Sequence, residues 1–358
     1  MNKPRVLHLI PTFGPGGAEH LVFELVQRLP RHGFEAQAVS LMGGGSLVHL
    51  FQSSSLPHQV FERRGPFGAS AFRYAREVIK RERPAIVHTH LFGADLWGRL
   101  AALSVFPRAR LVTTEHNVHP EYGTLQRGLN YGLSFATDIE IAVSATVKRY
   151  MTEEEGISVK RIRVIRNGID LEKIAIRSTR PFSDVPRLLV VGRLESQKGH
   201  ATLFKALAFV KRPWRLDVVG IGQFKRALSA LADRLGIAPR IRWFGYRTDV
   251  GLLLRDADLF CFPSLWEGSG LALLEAAAAA VPIIASDLPA FHEVFDASSV
   301  AFVPPGDVPA LAHAIDAVLA DPASALKRAE EARDQIERCC SIEKMVKAYA
   351  SVYRKLLA

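Results

Sequence analysis

The chain has 358 residues, 48% of them hydrophobic and 23% charged, a balance that excludes a disordered chain, a collagen-like repeat and a small disulfide scaffold. Its three cysteines, Cys261 and the adjacent Cys339 and Cys340, form neither a disulfide framework nor a metal-ligand spacing, and so read as reduced thiols in a cytoplasmic protein. The formal net charge of +10 favours anionic partners: nucleotides, phosphorylated substrates, acidic lipid or nucleic acid.

Short β-branched runs alternate with helix-like stretches throughout, which predicts α/β layers built on parallel sheets. Val6–Ile10 reads as a strand, followed by the turn Gly14-Pro15-Gly16-Gly17 and an amphipathic stretch to Leu29. Strands are then expected at Ala36–Leu41, Ala85–His88, Leu111–Thr114, Ile139–Val143 and Arg163–Ile165, with a helix at Ala71–Arg81. The periodicity lapses around residues 171–186, where Ser178, Thr179, Pro181 and Pro186 suggest a linker. A second series follows, with strands expected at Leu188–Val191, Leu216–Val219, Ile241–Phe244, Leu259–Phe262, Ile283–Ala285 and Ala301–Val303. The expected organisation is a first domain over residues 1–172, a linker over 173–186 and a second domain over 187–340. An amphipathic C-terminal stretch, 341–358, can complete the first domain. With no 18-residue apolar run and an N-terminus that turns too soon for a signal peptide, neither a membrane span nor export is expected.

Two doubly wound domains bind ligands at the carboxyl ends of their strands, so facing domains would form a site in the cleft between them. The residues just after strands carry the chemistry. After Val191 come Gly192, Arg193 and, five residues on, Lys198-Gly199. A planar guanidinium and a point charge in one loop can clamp neighbouring phosphate oxygens. After Phe262 the chain reads Ser264-Leu265-Trp266-Glu267-Gly268-Ser269-Gly270-Leu271, then a Leu/Ala-rich run to Pro282. A helix beginning near Ser269–Leu271 presents unsatisfied amides that suit a phosphate. Glu267 precedes that helix and Glu275 lies about one turn inside it, roughly 6 Å along the axis. Carboxylates at two depths suit hydroxyl recognition on both sides of a phosphate.

On these residues the chain resembles the retaining glycosyltransferases of GT-B fold and family 4 (group 1) type. Glu267 and Glu275 match their E-x7-E motif, and Gly192-Arg193-Leu194 with Lys198-Gly199 matches their phosphate loop. Gly16-Gly17-Ala18-Glu19, Val87-His88-Thr89-His90, Thr114-Glu115-His116-Asn117 and Asn167-Gly168-Ile169-Asp170 match in the family's order, spanning nearly the whole chain. The resemblance implies an acceptor domain followed by a nucleotide-sugar donor domain. It implies that Arg193 and Lys198 neutralise the donor diphosphate with amides near Gly270 and Leu271, that Glu275 holds the ribose and that Glu267 holds the transferred sugar. Gly16 and Gly17 would allow close backbone approach, His116 would sit beside the reacting centre, and Tyr246 would flank the nucleobase. The implied reaction is direct transfer with retention: the acceptor hydroxyl attacks from the face of the leaving diphosphate, whose oxygen takes the proton. A UDP or GDP sugar is the favoured co-substrate, with no metal, and the acceptor is a glycan or lipid-linked molecule of cell-surface polysaccharide or lipopolysaccharide synthesis, with a small soluble acceptor such as malate as the alternative. Ser269 stands where the family has an aromatic residue, beside the donor sugar, and Ala280 where it has a glycine, at a helix end.

Several signals point elsewhere and weigh less. Gly14-x-Gly16-Gly17 lacks the later acid of a dinucleotide-binding fold. Asp256-Ala257-Asp258 fits a helix-to-strand junction better than a metal site, and His88 and His90 have no third ligand spaced to join them. The densest basic patch, Arg63, Arg64, Arg73, Arg76, Lys80, Arg81 and Arg83, interleaves with Phe67, Phe72 and Tyr74. It reads as a solvated helix face or as a dock for anionic membrane, and no nucleic-acid module accompanies it. A nucleotide-sugar 2-epimerase would use the same fold and donor without an acceptor, and a non-catalytic nucleotide-sugar-binding protein would show no turnover.

Overall fold

Among the described residues thirteen strands form two parallel sheets, each wound in both directions from a central strand. The computed structural model describes residues 3–62, 68–177 and 180–358. Arg63, Arg64 and Phe67 of the basic patch, and Ser178 and Thr179 of the linker, lie outside them. The chain divides into two units, Met1–Asn167 with Ile342–Ala358, and Gly168–Ser341.

The first unit holds β1 (Arg5–Ile10), β2 (Glu35–Ser40), β3 (His58–Val60), β4 (Ile86–His90), β5 (Arg110–Glu115), β6 (Ile139–Ala142) and β7 (Ile162–Val164). They lie in the order β3-β2-β1-β4-β5-β6-β7. The three-residue edge strand β3 is an addition to the expected set; it is short and only half-buried, so its hydrophobic signal is weak. The second unit holds β8 (Arg187–Val191), β9 (Arg215–Val219), β10 (Ile241–Gly245), β11 (Leu259–Phe262), β12 (Ile283–Ser286) and β13 (Ala301–Val303), in the order β10-β9-β8-β11-β12-β13. Strands such as β4 and β11 are buried along their whole length, as both faces carry helices.

In each sheet the strand order reverses beside the first strand, between β1 and β4 and between β8 and β11. Such a reversal splays the loops at the carboxyl ends apart and leaves a crevice there.

The described residues of the segment read as a linker pack on the second unit. Arg177, only 6% exposed, donates to the Ala257 carbonyl at 3.0 Å and to Asp258 at 3.3 Å, and its own amide donates to the Ala279 carbonyl. The polar, proline-containing composition is that of a strap bonded to a domain rather than of a free tether. The closing helix Ile342–Leu357 belongs to the first unit, where it buries Met345, Val346, Tyr349 and Tyr353.

Candidate active site

In the second unit, β8 delivers one loop and β11 another to the crevice. The first runs through Gly192 and Arg193 into a single 3-10 turn, Ser196–Lys198, and then Gly199 at φ 64°. A Cβ on Gly199 would lie 1.9 Å from the Pro263 carbonyl oxygen, so only glycine lets the two loops touch. Gln197 fastens them further: its Nε2 donates to the Trp266 carbonyl at 2.9 Å, and its own carbonyl accepts from the Leu265 amide at 2.7 Å.

Across this junction Lys198 Nζ is ion-paired with Glu267 Oε1. Ser264 Oγ donates to the same oxygen at 2.8 Å. Glu267 is 7% exposed, and its Oε2 takes no hydrogen bond from the described residues. Arg193 is exposed and among the described residues bonds only to Gln197 Oε1, at 3.4 Å, so its guanidinium is available to an anion.

The helix expected near Ser269–Leu271 is Leu271–Ala278, capped by Gly270 at φ 67°. A Cβ on Gly270 would meet the Phe291 ring at 2.8 Å. The Gly270 carbonyl accepts from the Leu273 and Leu274 amides, which leaves those of Leu271 and Ala272 without an intrahelical carbonyl. Protein surrounds the Glu275 carboxyl although the residue keeps some solvent contact, and desolvation lifts its pKa to about 7. Tyr246 follows β10 and buries a hydroxyl that pairs with no described residue. Arg193, Lys198, Glu267, Ser269, Gly270, Leu271 and Glu275 therefore all lie on the two loops and the helix that follow β8 and β11.

The Asp256–Asp258 pattern is the junction expected of it. Asp258 is fully buried and accepts from Arg180 Nη1 at 2.6 Å, Arg177 Nη2 at 3.3 Å and the Arg187 amide at 2.9 Å, at the opposite end of β11 from the loops.

In the first unit the alternation of strand side chains sends His8, His88, His90 and Thr114 to one face, since His8 pairs with His88 and His90 with Thr114. His8 is the ring that sequence spacing missed. Instead of two histidines without a third, the sheet gathers His8, His88 and His90 with ring nitrogens within 4.8 Å of one another, all fully buried. His88 Nδ1 meets the Tyr353 hydroxyl at 2.6 Å and its Nε2 meets Thr114 Oγ1 at 2.8 Å, the satisfied structural role expected of it. His8 Nδ1 lies 3.0 Å from His90 Nε2, and His90 Nδ1 lies 3.1 Å from His116 Nε2.

His116 stands just past β5, on a loop pinned by Glu115. The Glu115 carboxylate accepts from the His116 and Asn117 amides at 2.8 and 3.2 Å and meets His119 Nε2 at 3.1 Å. Burial opposes protonation of His119, but Glu115 and Glu121 together outweigh it and raise that ring to about 9. His116 is instead lowered to about 4 by burial, with Glu115 offsetting only part of the effect. Gly16 caps the helix Gly17–Arg28, and the Glu19 carboxylate folds back over it; a Cβ there would lie 2.2 Å from Glu19 Oε2.

Arg73, Arg76 and Lys80 share one face of the helix Ala69–Glu82, and Arg83 follows as its C-cap at φ 44°. The interleaved aromatics do not join them: Phe72 and Tyr74 pack against the core, with Tyr74 stacked on Phe61 at 4.4 Å. Arg81 turns aside to Gln59 and Glu82.

Residues 172–335 match the family described as Glycosyl transferases group 1, and residues 15–173 match Glycosyltransferase Family 4. The chain is 33% identical over 287 residues to a glycogen synthase of Mycobacterium tuberculosis, covering 76% of this chain and 69% of that one. A phosphatidyl-myo-inositol mannosyltransferase of the same organism is 29% identical over 331 residues, 85% of this chain and 84% of that one. Among solved structures, Anabaena HepE in complex with UDP-glucose superposes with a TM-score of 0.88 at 20% identity, covering 98% of this chain and 100% of that one. A glycosyltransferase from Rickettsia africae superposes with a TM-score of 0.82 at 24% identity, covering 100% and 99%.

Proposed function

The chain belongs to the group 1, family 4 glycosyltransferases of GT-B fold, and from that premise we propose that it moves a sugar from a UDP or GDP donor, with retention, to a glycan or lipid-linked acceptor. The observation that carries this reading is the cradle after β8 and β11, where Arg193, the Lys198–Glu267 pair and the Gly270-capped helix follow adjacent strands.

In this reading the diphosphate lies against Arg193, Lys198 and the amides of Leu271 and Ala272. Charge grows on the leaving phosphate as the glycosidic bond breaks, and these donors act where it develops. Lys198 stays bridged to Glu267, whose Oε2 accepts from a hydroxyl of the transferred sugar. Glu275 accepts from the ribose hydroxyls, Tyr246 flanks the base, and Ser269, in place of an aromatic ring, leaves room beside the sugar. His116 meets the substrate from the first unit, and Gly16 and Gly17 allow close backbone approach there. The phosphate oxygen that leaves carbon takes the proton of the attacking hydroxyl, so the step balances without a separate base. The fixed cations supply the counter-charge, and no metal is required.

A lipid-linked acceptor of cell-surface polysaccharide or lipopolysaccharide synthesis is supported by the aligned cations Arg73, Arg76 and Lys80, with Arg83 at the helix end and Arg63 and Arg64 just before them in sequence. Each cation near an anionic membrane adds about 1 kcal/mol, enough together for peripheral binding on the cytoplasmic face. Among the described residues no helix is long and apolar enough to cross a membrane.

Calorimetry with UDP, GDP, ADP and dTDP in EDTA tests the donor site. Binding of UDP or GDP that Arg193→Ala and Glu275→Ala both weaken is the expected result. Binding that returns only with Mg²⁺ would refute the metal-free reading, and conversion of the donor without an acceptor would favour the epimerase. Vesicle sedimentation that ignores anionic lipid and salt would remove the membrane dock.

A further inference from the structure

Three neutral imidazoles linked in a row cannot choose their protons independently. His8, His90 and His116 form such a row, with nitrogen separations of 3.0 and 3.1 Å. Burial lowers the His8 pKa to about 3, that of His116 to about 4 and that of His90 well below the ordinary range, so each ring carries one N–H at neutral pH. Two of the three protons occupy the two contacts. The third must sit at one end of the row, on His8 Nε2 or on His116 Nδ1.

The ends differ. His8 Nε2 is fully buried and meets no described polar group. A proton there would be a donor without an acceptor, the costlier and rarer form of an unpaired buried group. His116 is partly exposed, and no described group pairs with its Nδ1, so a proton there can reach water or a ligand. The row therefore runs one way: His8 Nδ1–H donates to His90 Nε2, and His90 Nδ1–H donates to His116 Nε2.

We propose that His8 and His90 are positioning residues that fix His116 as its Nδ1–H tautomer, so that His116 meets the substrate as a hydrogen-bond donor and not as a base. The oxygen it faces is a sugar hydroxyl or phosphate oxygen. The clause about substrate rests on the assignment of His116 made above; the direction of the row does not. A donor at this point agrees with a reaction in which the leaving phosphate takes the acceptor's proton.

Nitrogen-15 correlation spectra of the full chain, labelled at its 12 histidines and recorded at pH 7, read the tautomer directly, with His116→Gln identifying the His116 signals. The expected spectrum shows protonated Nδ1 and bare Nε2 at His116 in the unaltered protein. In His90→Phe that pattern gives way to the Nε2–H form, and sugar transfer falls about 10–100-fold, in kcat more than in KM. His90→Asn sets a side-chain N–H where Nδ1 stood and restores both. An Nε2–H tautomer in the unaltered protein overturns the proposal with no variant needed, as does an Nδ1–H pattern that survives His90→Phe. Should the tautomers follow while transfer does not move in a folded His90→Phe protein, the row stands and the assignment of His116 to substrate falls.

Discussion

The strand-end loops of the second unit and the interior of the first use polar residues in opposite ways. In the second, charge gathers on loops past the strand ends, where Arg193 is exposed and Lys198 half-buried. In the first, charge is sunk between sheet and helices: Arg99 is 2% exposed, ion-paired with Asp95, and 3.4 Å from Glu140. Thr89 and Thr113 both donate to Asp95 at 2.5 Å, and Asn130 to Glu155 at 2.7 Å. A loop charge can be removed with little effect on folding, whereas a buried charge deprived of its partner keeps its desolvation penalty. On the proposed function the difference teaches that binding and fold stability use separate charge sets: loop charges past β8 and β11 for the first, and buried sets, Arg99 with Asp95 in one unit as Arg177 with Asp258 in the other, for the second.

Arg99→Met is the largest challenge to that separation. Removing one partner of a buried pair leaves Asp95 uncompensated and should cost about 3–5 kcal/mol, a fall in Tm of roughly 10 °C for the first unit's transition. Nucleotide binding to the folded protein should not change, as calorimetry below the transition would show. Arg193→Ala should do the reverse. Transfer should drop about 100–1,000-fold, the usual loss for one donor at a developing charge, while stability stays within about 0.5 kcal/mol. Lys198→Ala falls between them, because it also strips the 7%-exposed Glu267 of its cation. If Arg193→Ala lowered Tm as far as Arg99→Met, the contrast between loop charge and buried charge would collapse.

The same contrast explains what could be read from sequence. The cradle is built from two continuous segments, so strand ends, glycines and the start of a helix give its ingredients in order, and the spacing of Glu267 and Glu275 survives into the structure. Gln197, which ties the segments together, and Ser264, which holds Glu267, carry no such signal because a glutamine or serine has many ordinary uses. The imidazole row is harder: His8 and His90 are 82 residues apart, and only the β1–β4 register sets them side by side. Composition conceals the strap formed by the described residues of 173–186, since Arg177 reads as solvent-facing until Asp258 is known to lie beside it. The aromatic residues of the basic helix misled for a similar reason. Their periodicity does not say that Tyr74 stacks inward on Phe61.

Glu275 sharpens the comparison from the side of pH. Its carboxyl is held at about 7, above the ordinary carboxylate range, so the folded protein keeps a proton that the unfolded chain releases. That contribution to stability is lost as pH rises from the unfolded pKa through 7, and nucleotide binding should move the other way. The carboxylate is the better acceptor for ribose hydroxyls, so affinity should rise about tenfold between pH 6 and pH 8. Glu275→Gln should remove this increment while the ionisation of the nucleotide's own phosphate persists in both proteins. Equal slopes for the two proteins would take Glu275 out of the binding site.

The smallest effect concerns backbone strain, and it separates function from packing within the second unit alone. Gly270 and Ala280 bracket the helix Leu271–Ala278, and both have positive φ, 67° and 54°. At Gly270 the conformation serves the cradle, and the Phe291 ring leaves no room for a Cβ. Ala280 ends the helix instead, where its amide donates to the Ala277 carbonyl at 2.9 Å, and an L-residue held there costs about 1–2 kcal/mol. Glycine relieves that strain but gives back part of the gain through its freer unfolded chain. Ala280→Gly should therefore stabilise the second unit by about 0.5–1 kcal/mol and raise its Tm by roughly 2–4 °C, with nucleotide affinity unchanged. A change in affinity would mean that the far end of the helix is coupled to the phosphate cradle, and the left-handed alanine would then belong to the site.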